Sequence, residues 1–493
     1  MKKLQTVTLG CSKNKVDTEH ILSQVEHLYE IVPEGEDIPV DTILLNTCGF
    51  IGDAKEESIQ AVLEAVERKR NGEAEKVVVF GCLSQRYMSE LPALIPEVDA
   101  WFGARDFDPV IRELGAEPSA EKSADRYLTT PSHYAYLKIS EGCDRRCSYC
   151  AIPFIRGAHK SVPMEDLVRE AENLAAKGVR ELIIIAQDTT YYGLDLYKRR
   201  ALAELLQKLS EVEGIEWIRI HYSYPAAFPE DVLDQMANNP KVCRYMDIPL
   251  QHISDKVLDN MHRHVTGAWT RELINKMREK VPGVVLRTTM IVGHPGEGKR
   301  EFNELLEFVK EARLERLGAF TYSEEEGTYG AENFRDSISA KVKQERLDAL
   351  MTLQSEISLG FNQSRVGSEI EVIVFARQYA AFSAELFVEN AVVIEGNISV
   401  EDGDAVKIIL SSAKSLGTGG SRATDKPKTT EQEAKIYIKL PNVADRNISP
   451  IYRIANFNRG SAAVIIFDES TKKYVALKGV TMAQTDKVLA SEL

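Results

Sequence analysis

Six strand-like segments alternate with amphipathic helical segments between residues 133 and 335. β-Branched and aromatic residues dominate the strand-like segments, and apolar residues at helical spacing separate them, as at Leu167, Ala171 and Leu174. The six strand candidates are 136–140, 182–186, 217–222, 245–250, 285–292 and 318–322. Six strand–helix units in series predict a partial TIM-type (βα)6 barrel rather than a complete eight-unit barrel. Residues that act in such a fold are expected at the carboxyl ends of the strands.

A smaller α/β region precedes this barrel, over residues 1–115, and its strands share one kind of ending. The strand-like runs 4–9, 41–45 and 76–80 are each followed within three residues by a cysteine, namely Cys11, Cys48 and Cys82. In an open parallel sheet, the carboxyl ends of the strands form the ligand crevice, so we expect the three thiols to converge on one side. The alternative is three separately buried cysteines.

A second cysteine triplet directly follows the first barrel strand, in the segment 143–150, with the sequence CDRRCSYC. Three thiolates at spacings of four and three residues, Cys143, Cys147 and Cys150, can bind three irons of a cubane cluster and leave the fourth iron without a protein ligand. The alternative is a structural zinc site, for which His159 is the nearby fourth ligand.

Composition and cysteine count limit the class of protein. The chain has 493 residues, 44% of them hydrophobic, and a formal net charge of -14, which indicates a folded acidic protein of about three domains. We expect no membrane segment and a cytoplasmic protein, because no apolar run of about 18 residues or signal peptide is present. Seven cysteines without an export signal favour metal or redox chemistry over disulfides. Cys243 stands apart from both triplets and is predicted to be an ordinary thiol.

The rest of the chain is predicted to form a connection and further domains. Residues 101–132 have no sustained period and are interpreted as a connection to the barrel domain, which is placed at 130–335. The later segments are predicted as a helical connection at 336–366, a small OB-like β-barrel at 367–416, a flexible linker at 417–434 and an αβ piece at 435–493.

The second cysteine triplet, with an aromatic residue before its last cysteine and a six-unit barrel behind it, resembles the radical S-adenosylmethionine enzymes. Within them, the chain is most similar to the methylthiotransferases over about residues 1–370. The motifs that carry this resemblance are LGCSKN at 9–14, NTCGFI at 46–51, IPFIRG at 152–157, AQDTTYYG at 186–193, DIPLQH at 247–252 and TYSEEEGT at 321–328.

The resemblance implies two 4Fe-4S clusters and S-adenosylmethionine as cofactors. Cys143, Cys147 and Cys150 would hold the cluster that generates a deoxyadenosyl radical from S-adenosylmethionine, and the first triplet would hold the second cluster, which carries the sulfur. The run 12–14 favours the branch that modifies the β-carbon of an aspartate in ribosomal small-subunit protein S-twelve. Its partners would be that protein or the ribosome, and an electron donor such as flavodoxin or ferredoxin.

Five residues near strand ends are predicted to contribute to the S-adenosylmethionine pocket: Tyr149, Gln187, Asp188, Arg287 and Gly293. Two of the five also have a structural interpretation. Asp188 could instead cap a helix, and the glycines of the segment 291–296 could simply form a turn. His252 could contact substrate or be a buried structural histidine.

The family pattern breaks after Gly367, where a TRAM domain is expected. The segment 370–416 instead resembles the OB-fold region of the bacterial DNA polymerase III alpha subunit, and 435–493 resembles that subunit's carboxyl terminus. Phe375, Tyr379, Phe382 and Phe387 could then stack on single-stranded nucleic acid. Three hypotheses follow: a ribosomal-protein methylthiotransferase, a transfer-RNA methylthiotransferase, and a fusion that acts mainly as a nucleic-acid or replisome binding module.

Overall fold

The computed structural model describes residues 1–36, 38–364 and 382, together with five carboxyl-terminal strands. The chain divides into two compact units, one of residues 1–373 and 398–408 and the other of residues 374–397 and 409–493. The first unit contains both of the α/β regions that the sequence predicts. Within the described residues, no helix is long and apolar enough to span a bilayer.

The amino-terminal region is a five-stranded parallel sheet in the order β2-β1-β3-β4-β5. Its strands are β1 (Lys2–Thr8), β2 (Tyr29–Val32), β3 (Val40–Thr47), β4 (Ala74–Gly81) and β5 (Ala100–Trp101), and its helices are α1 (Ser12–Val25), α2 (Gly52–Arg70), α3 (Cys82–Arg86), α4 (Leu91–Leu94) and α5 (Asp108–Glu113). The short strands β2 and β5 were not predicted, and α5 lies in the stretch that the sequence assigned to a connection.

Both faces of this sheet are buried, because its strands are continuous apolar runs. Leu44 and Phe80 pack on one face with residues of α1 and α5, while Leu45 and Val79 pack on the other face with residues of α2. This two-sided burial fixes the register of β3 and β4, and with it the position of the cysteine that follows each strand.

The barrel region is a six-stranded parallel sheet in the order β13-β12-β11-β10-β9-β6. Its strands are β6 (Tyr134–Lys138), β9 (Glu181–Ile185), β10 (Trp217–Ile220), β11 (Val242–Asp247), β12 (Val285–Val292) and β13 (Arg316–Thr321), with a small pair β7 (Ser140–Glu141) and β8 (Lys160–Ser161). The helices are α6 (Ile152–Arg156), α7 (Met164–Ala176), α8 (Leu194–Tyr197), α9 (Leu202–Ser210), α10 (Glu230–Asn238), α11 (Asp255–Asn260), α12 (Gly267–Lys280), α13 (Lys299–Ala312), α14 (Tyr329–Asn333) and α15 (Ala340–Ser364).

The predicted α/β class and partial (βα)6 barrel are confirmed by this sheet. The fourth predicted strand, 245–250, was placed three residues too late at its end, since β11 stops at Asp247. Pro249 lacks the backbone N–H that would continue a strand ladder, and Gln251 adopts a left-handed φ of 74°.

Helix α1 belongs to the amino-terminal region but packs against the barrel sheet. Its Val16 forms a small buried cluster with Ile183 and Ile185 of β9. The alternate residues Leu182 and Ile184 face the main barrel core instead. Because successive strand residues point to opposite faces, α1 covers the face of β9 opposite the main barrel core.

The described part of the carboxyl-terminal segment consists of strands. β14 (Val392–Ser399) pairs with β15 (Lys407–Ser415), and β16 (Lys435–Leu440), β17 (Ala462–Asp468) and β18 (Lys473–Met482) form a three-stranded sheet. The start of the predicted OB-like barrel at 367–381, the predicted linker at 417–434 and the aromatic residues Phe375, Tyr379 and Phe387 lie outside the described residues. The OB-like barrel and the domain boundaries stay predictions.

Candidate active site

The three amino-terminal cysteines follow three neighbouring strands, β1, β3 and β4, and the structure brings their thiols together. The Asn14 Oδ1 atom lies 4.0 Å from the Cys11 Sγ and 3.8 Å from the Cys82 Sγ. Cys48 approaches the same place from the strand between them, since a Cβ added to Gly10 would lie 2.9 Å from the Cys48 Sγ. We call Cys11, Cys48 and Cys82 the sheet thiols.

Two glycines allow these close approaches. Gly10, immediately before Cys11, has a φ of 86°, and Gly81, immediately before Cys82, has a φ of 112°. A Cβ on Gly81 would lie 2.6 Å from the Thr47 carbonyl oxygen. Glycine is therefore needed at both positions for the backbone to turn where the strands end.

The second triplet lies on the loop between β7 and α6, and we call Cys143, Cys147 and Cys150 the loop thiols. Backbone hydrogen bonds fix this loop, from Cys143 N to Gly157 O at 3.0 Å and from Cys150 N to Cys147 O at 3.1 Å. Gly142 enters the loop with a φ of 71°. The carboxyl end of the first barrel strand thus presents three thiols, as the sequence predicted for active residues.

Burial makes most of these thiols weak acids. It raises the pKa of Cys82 and of Cys143 to about 12, and it also raises the pKa of Cys48 and of Cys150. Because the thiolate is the metal-binding form, these groups need a compensating positive charge to act as ligands.

One arginine supplies such a charge beside each triplet. The Arg156 Nε lies 3.2 Å from the Cys82 Sγ, and the Arg263 Nη1 lies 3.5 Å from the Cys147 Sγ. Both guanidinium groups are buried. N–H groups directed at sulfur stabilise thiolate ligands and tune the clusters they hold, so this donor set fits iron–sulfur clusters.

The geometry does not favour a mononuclear metal site. Among the described residues, no three His, Cys, Asp or Glu side chains converge closely enough to hold one metal ion. A cubane distributes its thiolates over separate irons and tolerates wider spacing. His159, the fourth ligand of the zinc alternative, instead places its Nε2 3.0 Å from the Ser161 Oγ.

Arg156 also joins the two α/β regions. Its Nη1 donates to Asp17 Oδ2 at 2.7 Å, and its Nη2 donates to Asn14 Oδ1 at 2.6 Å. Asp17 also pairs with Lys138 of β6. The helix that follows the loop thiols therefore reaches both Cys82 and the helix that follows Cys11.

Two of the five predicted pocket residues already have structural partners. Asp188 caps the turn 189–191 by accepting from the Thr190 N at 2.9 Å, and its other oxygen accepts from Arg145 Nε of the cysteine loop at 2.7 Å. Arg287 donates to Asp247 Oδ1 at 2.9 Å. The alternative of a capping Asp188 matches this geometry.

The other three predicted pocket residues differ in availability. The Gln187 amide makes no hydrogen bond within the described part of the chain and is half-buried. The Tyr149 hydroxyl lies 3.4 Å from Arg263 Nη1. Gly293 forms a turn with a φ of 78°, and its N–H donates to Glu297 Oε2 at 2.9 Å. The pocket assignment of all five residues stays a prediction.

His252 and Cys243 take structural positions. His252 is buried, and its Nδ1 accepts from Ser254 N at 3.0 Å while its Nε2 lies 3.4 Å from Glu297 Oε2. Cys243 lies on β11, half-buried.

Two family models match the chain. Residues 137–309 match the Radical SAM superfamily, and residues 3–103 match Uncharacterized protein family UPF0004. Among curated proteins, ribosomal protein uS12 methylthiotransferase RimO of Phocaeicola vulgatus is 52% identical over 372 residues, which cover 75% of this chain and 86% of that protein. RimO of Christiangramia forsetii is 47% identical over 442 residues, which cover 88% of this chain and 98% of that protein.

The chain belongs to the RimO methylthiotransferase family.

A solved structure agrees with this family's barrel fold. The radical S-adenosylmethionine methyltransferase TsrM from Kitasatospora setae, with cobalamin and a 4Fe-4S cluster bound, superposes with a TM-score of 0.50 at 13% sequence identity, over 67% of this chain and 74% of that chain. At this identity the likeness concerns the fold alone.

The RimO-family match over about 370 residues confirms the recognised methylthiotransferase segment. The two alignments cover different lengths of the chain. The alignment with the Phocaeicola protein covers 75% of this chain, and the alignment with the Christiangramia protein covers 88%. The second alignment therefore includes residues beyond the first 373. The resemblance of the tail to DNA polymerase III stays a prediction.

The sequence did not indicate which charged and amide side chains surround the thiols of this RimO-family chain. Asn14 and Arg156 lie in the motifs LGCSKN and IPFIRG, but nothing in their spacing links them to Cys82. Arg263 follows α11 with no motif around it. Its guanidinium stacks on the Tyr224 ring at 4.1 Å, and only the fold brings it to Cys147.

Proposed function

We propose that this chain is a radical S-adenosylmethionine methylthiotransferase that adds a methylthio group to the β-carbon of an aspartate of ribosomal protein uS12. The observation that supports this most is the placement of two thiol triplets in one compact unit, where Arg156, on the helix that follows the loop thiols, contacts Cys82 of the sheet thiols. The RimO relatives are ribosomal protein uS12 methylthiotransferases, which indicates the substrate.

The sheet thiols and the loop thiols would each hold one 4Fe-4S cluster, with S-adenosylmethionine bound beside the loop thiols. When bound, these groups supply one-electron reduction, a carbon radical and transferable sulfur, which no side chain can supply. A one-electron donor such as flavodoxin or ferredoxin would act as a partner in the cytoplasm.

The chain's own residues prepare the two sites. Arg156 and Arg263 donate N–H groups to one sulfur in each triplet. Asp188 holds Arg145 and thereby the loop between the first two loop thiols. Gln187, whose amide has no partner in the described residues, and Tyr149 would orient S-adenosylmethionine.

The first test is anaerobic reconstitution with iron and sulfide, followed by iron counting. We expect about eight irons in the wild type and about four in a Cys143→Ala, Cys147→Ala, Cys150→Ala triple variant, since each thiol triplet would hold one cubane. Cys243→Ala is the matched control and should retain about eight. Zinc or no iron in the wild type would refute the proposal.

The second test identifies the substrate. Reconstituted enzyme is incubated with S-adenosylmethionine, a reductant and either small ribosomal subunits or transfer RNA, and each product is analysed by mass spectrometry. A methylthio group on uS12 supports the proposal, whereas one on transfer RNA would assign the chain to the alternative branch.

A separate measurement of nucleic-acid binding tests the expected role of the tail. The predicted resemblance of residues 370–493 to the DNA polymerase III alpha subunit would make the tail a site for single-stranded nucleic acid or a replisome protein. Anisotropy of a labelled single-stranded DNA, measured with the full chain at several salt concentrations, tests this, because phosphate contacts weaken as salt rises. No change in anisotropy would remove this assignment.

A further inference from the structure

Lys13 is a buried cation that has no anionic partner among the residues that the structure describes. It lies on α1, two residues after Cys11, and its side chain is only 5% exposed. Its Nζ lies 3.1 Å from the centroid of the Tyr222 ring. Within the described part of the chain, no carboxylate lies within ion-pair distance of this ammonium and no hydrogen bond from it is formed.

Two other buried cations that contact α1 are neutralised by carboxylates. Arg126 pairs with Glu19 and Glu170, and Lys138 pairs with Asp17 and Glu141. Burying a charge costs free energy unless the charge is paired. A cation–π contact with an aromatic ring stabilises a buried cation less than an ion pair with a carboxylate does. Among the described residues, Lys13 has no such carboxylate beside it.

The ring beneath Lys13 belongs to the barrel mouth. Tyr222 lies two residues beyond the end of β10 and has a left-handed φ of 60°. Its N–H donates to Asp247 Oδ2 at 3.0 Å, and its carbonyl accepts from Thr189 N at 3.1 Å. Strained backbone of this kind persists where the surroundings hold it and clusters at binding sites.

The position of Lys13 suggests which anion it receives. The ammonium lies on the helix that begins directly after Cys11 and against a ring that follows the carboxyl end of β10. An aspartate whose β-carbon is to be modified carries its carboxylate on the adjacent carbon. The four unmodified RNA bases carry no carboxylate.

We propose that Lys13 binds the side-chain carboxylate of the substrate aspartate and thereby selects a carboxylate-bearing protein substrate. This inference rests on the proposed function. The same chemistry is offered by the carboxylate of S-adenosylmethionine, so the experiment has an arm for each source.

The test compares holoenzymes of the wild type, Lys13→Met and Lys13→Arg, with Lys15→Met as a control on the same helix. Binding of purified uS12, and of uS12 with its target aspartate changed to asparagine, is measured by titration. Because a charge-assisted hydrogen bond is lost, we expect Lys13→Met to bind uS12 about 10-fold to 100-fold more weakly. Lys13→Arg should recover part of the affinity, and Lys15→Met should bind as the wild type does.

The effects of Lys13→Met and of the aspartate-to-asparagine change in uS12 on the binding free energy should not add. The asparagine form of uS12 should bind the wild type about 10-fold or more weakly, and Lys13→Met should not distinguish the two forms. S-adenosylmethionine should bind all four enzymes with equal affinity. Unchanged uS12 binding by Lys13→Met, or a loss of S-adenosylmethionine affinity instead, would overturn the inference.

Three further outcomes separate failure of the inference from failure of the variant and from failure of the proposed function. If Lys13→Met fails to fold or to retain iron, the wild type still decides, because equal affinity for the aspartate and asparagine forms would overturn the inference. If iron-loaded wild type neither binds nor modifies uS12, the proposed function itself fails. Modification of uS12 by the wild type together with full affinity in Lys13→Met would overturn the inference alone.

Discussion

A buried arginine stands beside one thiol of each triplet, Arg156 beside Cys82 and Arg263 beside Cys147. The cysteines could be predicted from their spacing and their place after strands. The arginines could not, because Arg156 is 74 residues from Cys82 and Arg263 is 116 residues from Cys147. Local sequence patterns do not indicate contacts between residues so far apart in the chain.

Replacing Arg156 should change the redox behaviour of one cluster. Arg156→Met removes an N–H donor from the Cys82 sulfur, so we expect a lower midpoint potential for the cluster at the sheet thiols. A redox titration monitored by electron paramagnetic resonance measures it. Arg156→Lys should restore part of the shift.

Arg105→Met is the matched control for this prediction. Arg105 donates to the carbonyl of Ile155, which lies on the same helix as Arg156, at 3.0 Å. It makes no hydrogen bond to a thiol within the described part of the chain. Its two midpoint potentials should equal those of the wild type. Equal potentials in Arg156→Met would contradict a tuning role.

Gly81→Ala should displace Cys82 from the sheet thiols. The added Cβ would lie 2.6 Å from the Thr47 carbonyl at a φ of 112°, so the backbone must move, at a cost of about 1–3 kcal/mol. We expect reconstituted Gly81→Ala to retain about four irons, those of the loop thiols. Gly72→Ala, with a φ of 77° and no atom within 4 Å of the added Cβ, should retain about eight.

Helix α1 is the element in which sequence and structure differ most. Lys13, Asn14, Asp17 and Glu19 would ordinarily be assigned to a solvated helix face, yet all four are buried. Asn14, Asp17 and Glu19 are buried because the barrel and the segment before it supply their partners, which are Arg156, Lys138 and Arg126. Lys13 is buried against the ring of Tyr222. By contrast, the strands were predictable to within a few residues, since β-branched apolar runs mark a buried parallel sheet wherever it packs.

Glu19 provides the prediction for this helix. Its carboxylate accepts from Arg126 Nε at 3.1 Å and from Thr129 N and Oγ1 at 2.8 and 2.7 Å. Glu19→Gln breaks a buried ion pair and should lower the free energy of unfolding by about 3–5 kcal/mol. Urea denaturation followed by circular dichroism measures this. The exposed Glu26→Gln on the same chain segment should change it by less than about 0.5 kcal/mol.

At the scale of the whole molecule, the larger unit contains buried histidines that should make its stability depend on pH. Burial lowers the pKa of His294 to about 4, and burial also lowers the pKa of His159 and of His20. In the unfolded chain these groups bind protons near pH 6.5. The unfolded state therefore binds more protons between about pH 4 and pH 6.5, so stability should fall as the pH falls through that window.

This dependence can be assigned to one group. Urea denaturation of the wild type and of His294→Gln, at a series of pH values from 7 to about 4, gives the two slopes. The variant should lose stability less steeply as the pH falls. Parallel slopes would mean that His294 is not held neutral by burial.

The polar surface of α1 has a consequence for how the chain is made. Translation completes the amino-terminal sheet and its helices before any of the barrel strands, so this domain first meets solvent with its barrel-facing side uncovered. That side carries charges and amides rather than a broad apolar patch, so the nascent domain exposes little that would promote aggregation. When the segment that carries Lys138 and Arg156 folds later, both residues form ion pairs with Asp17 and cover this surface. This sequence of events favours assembly from the amino terminus onward.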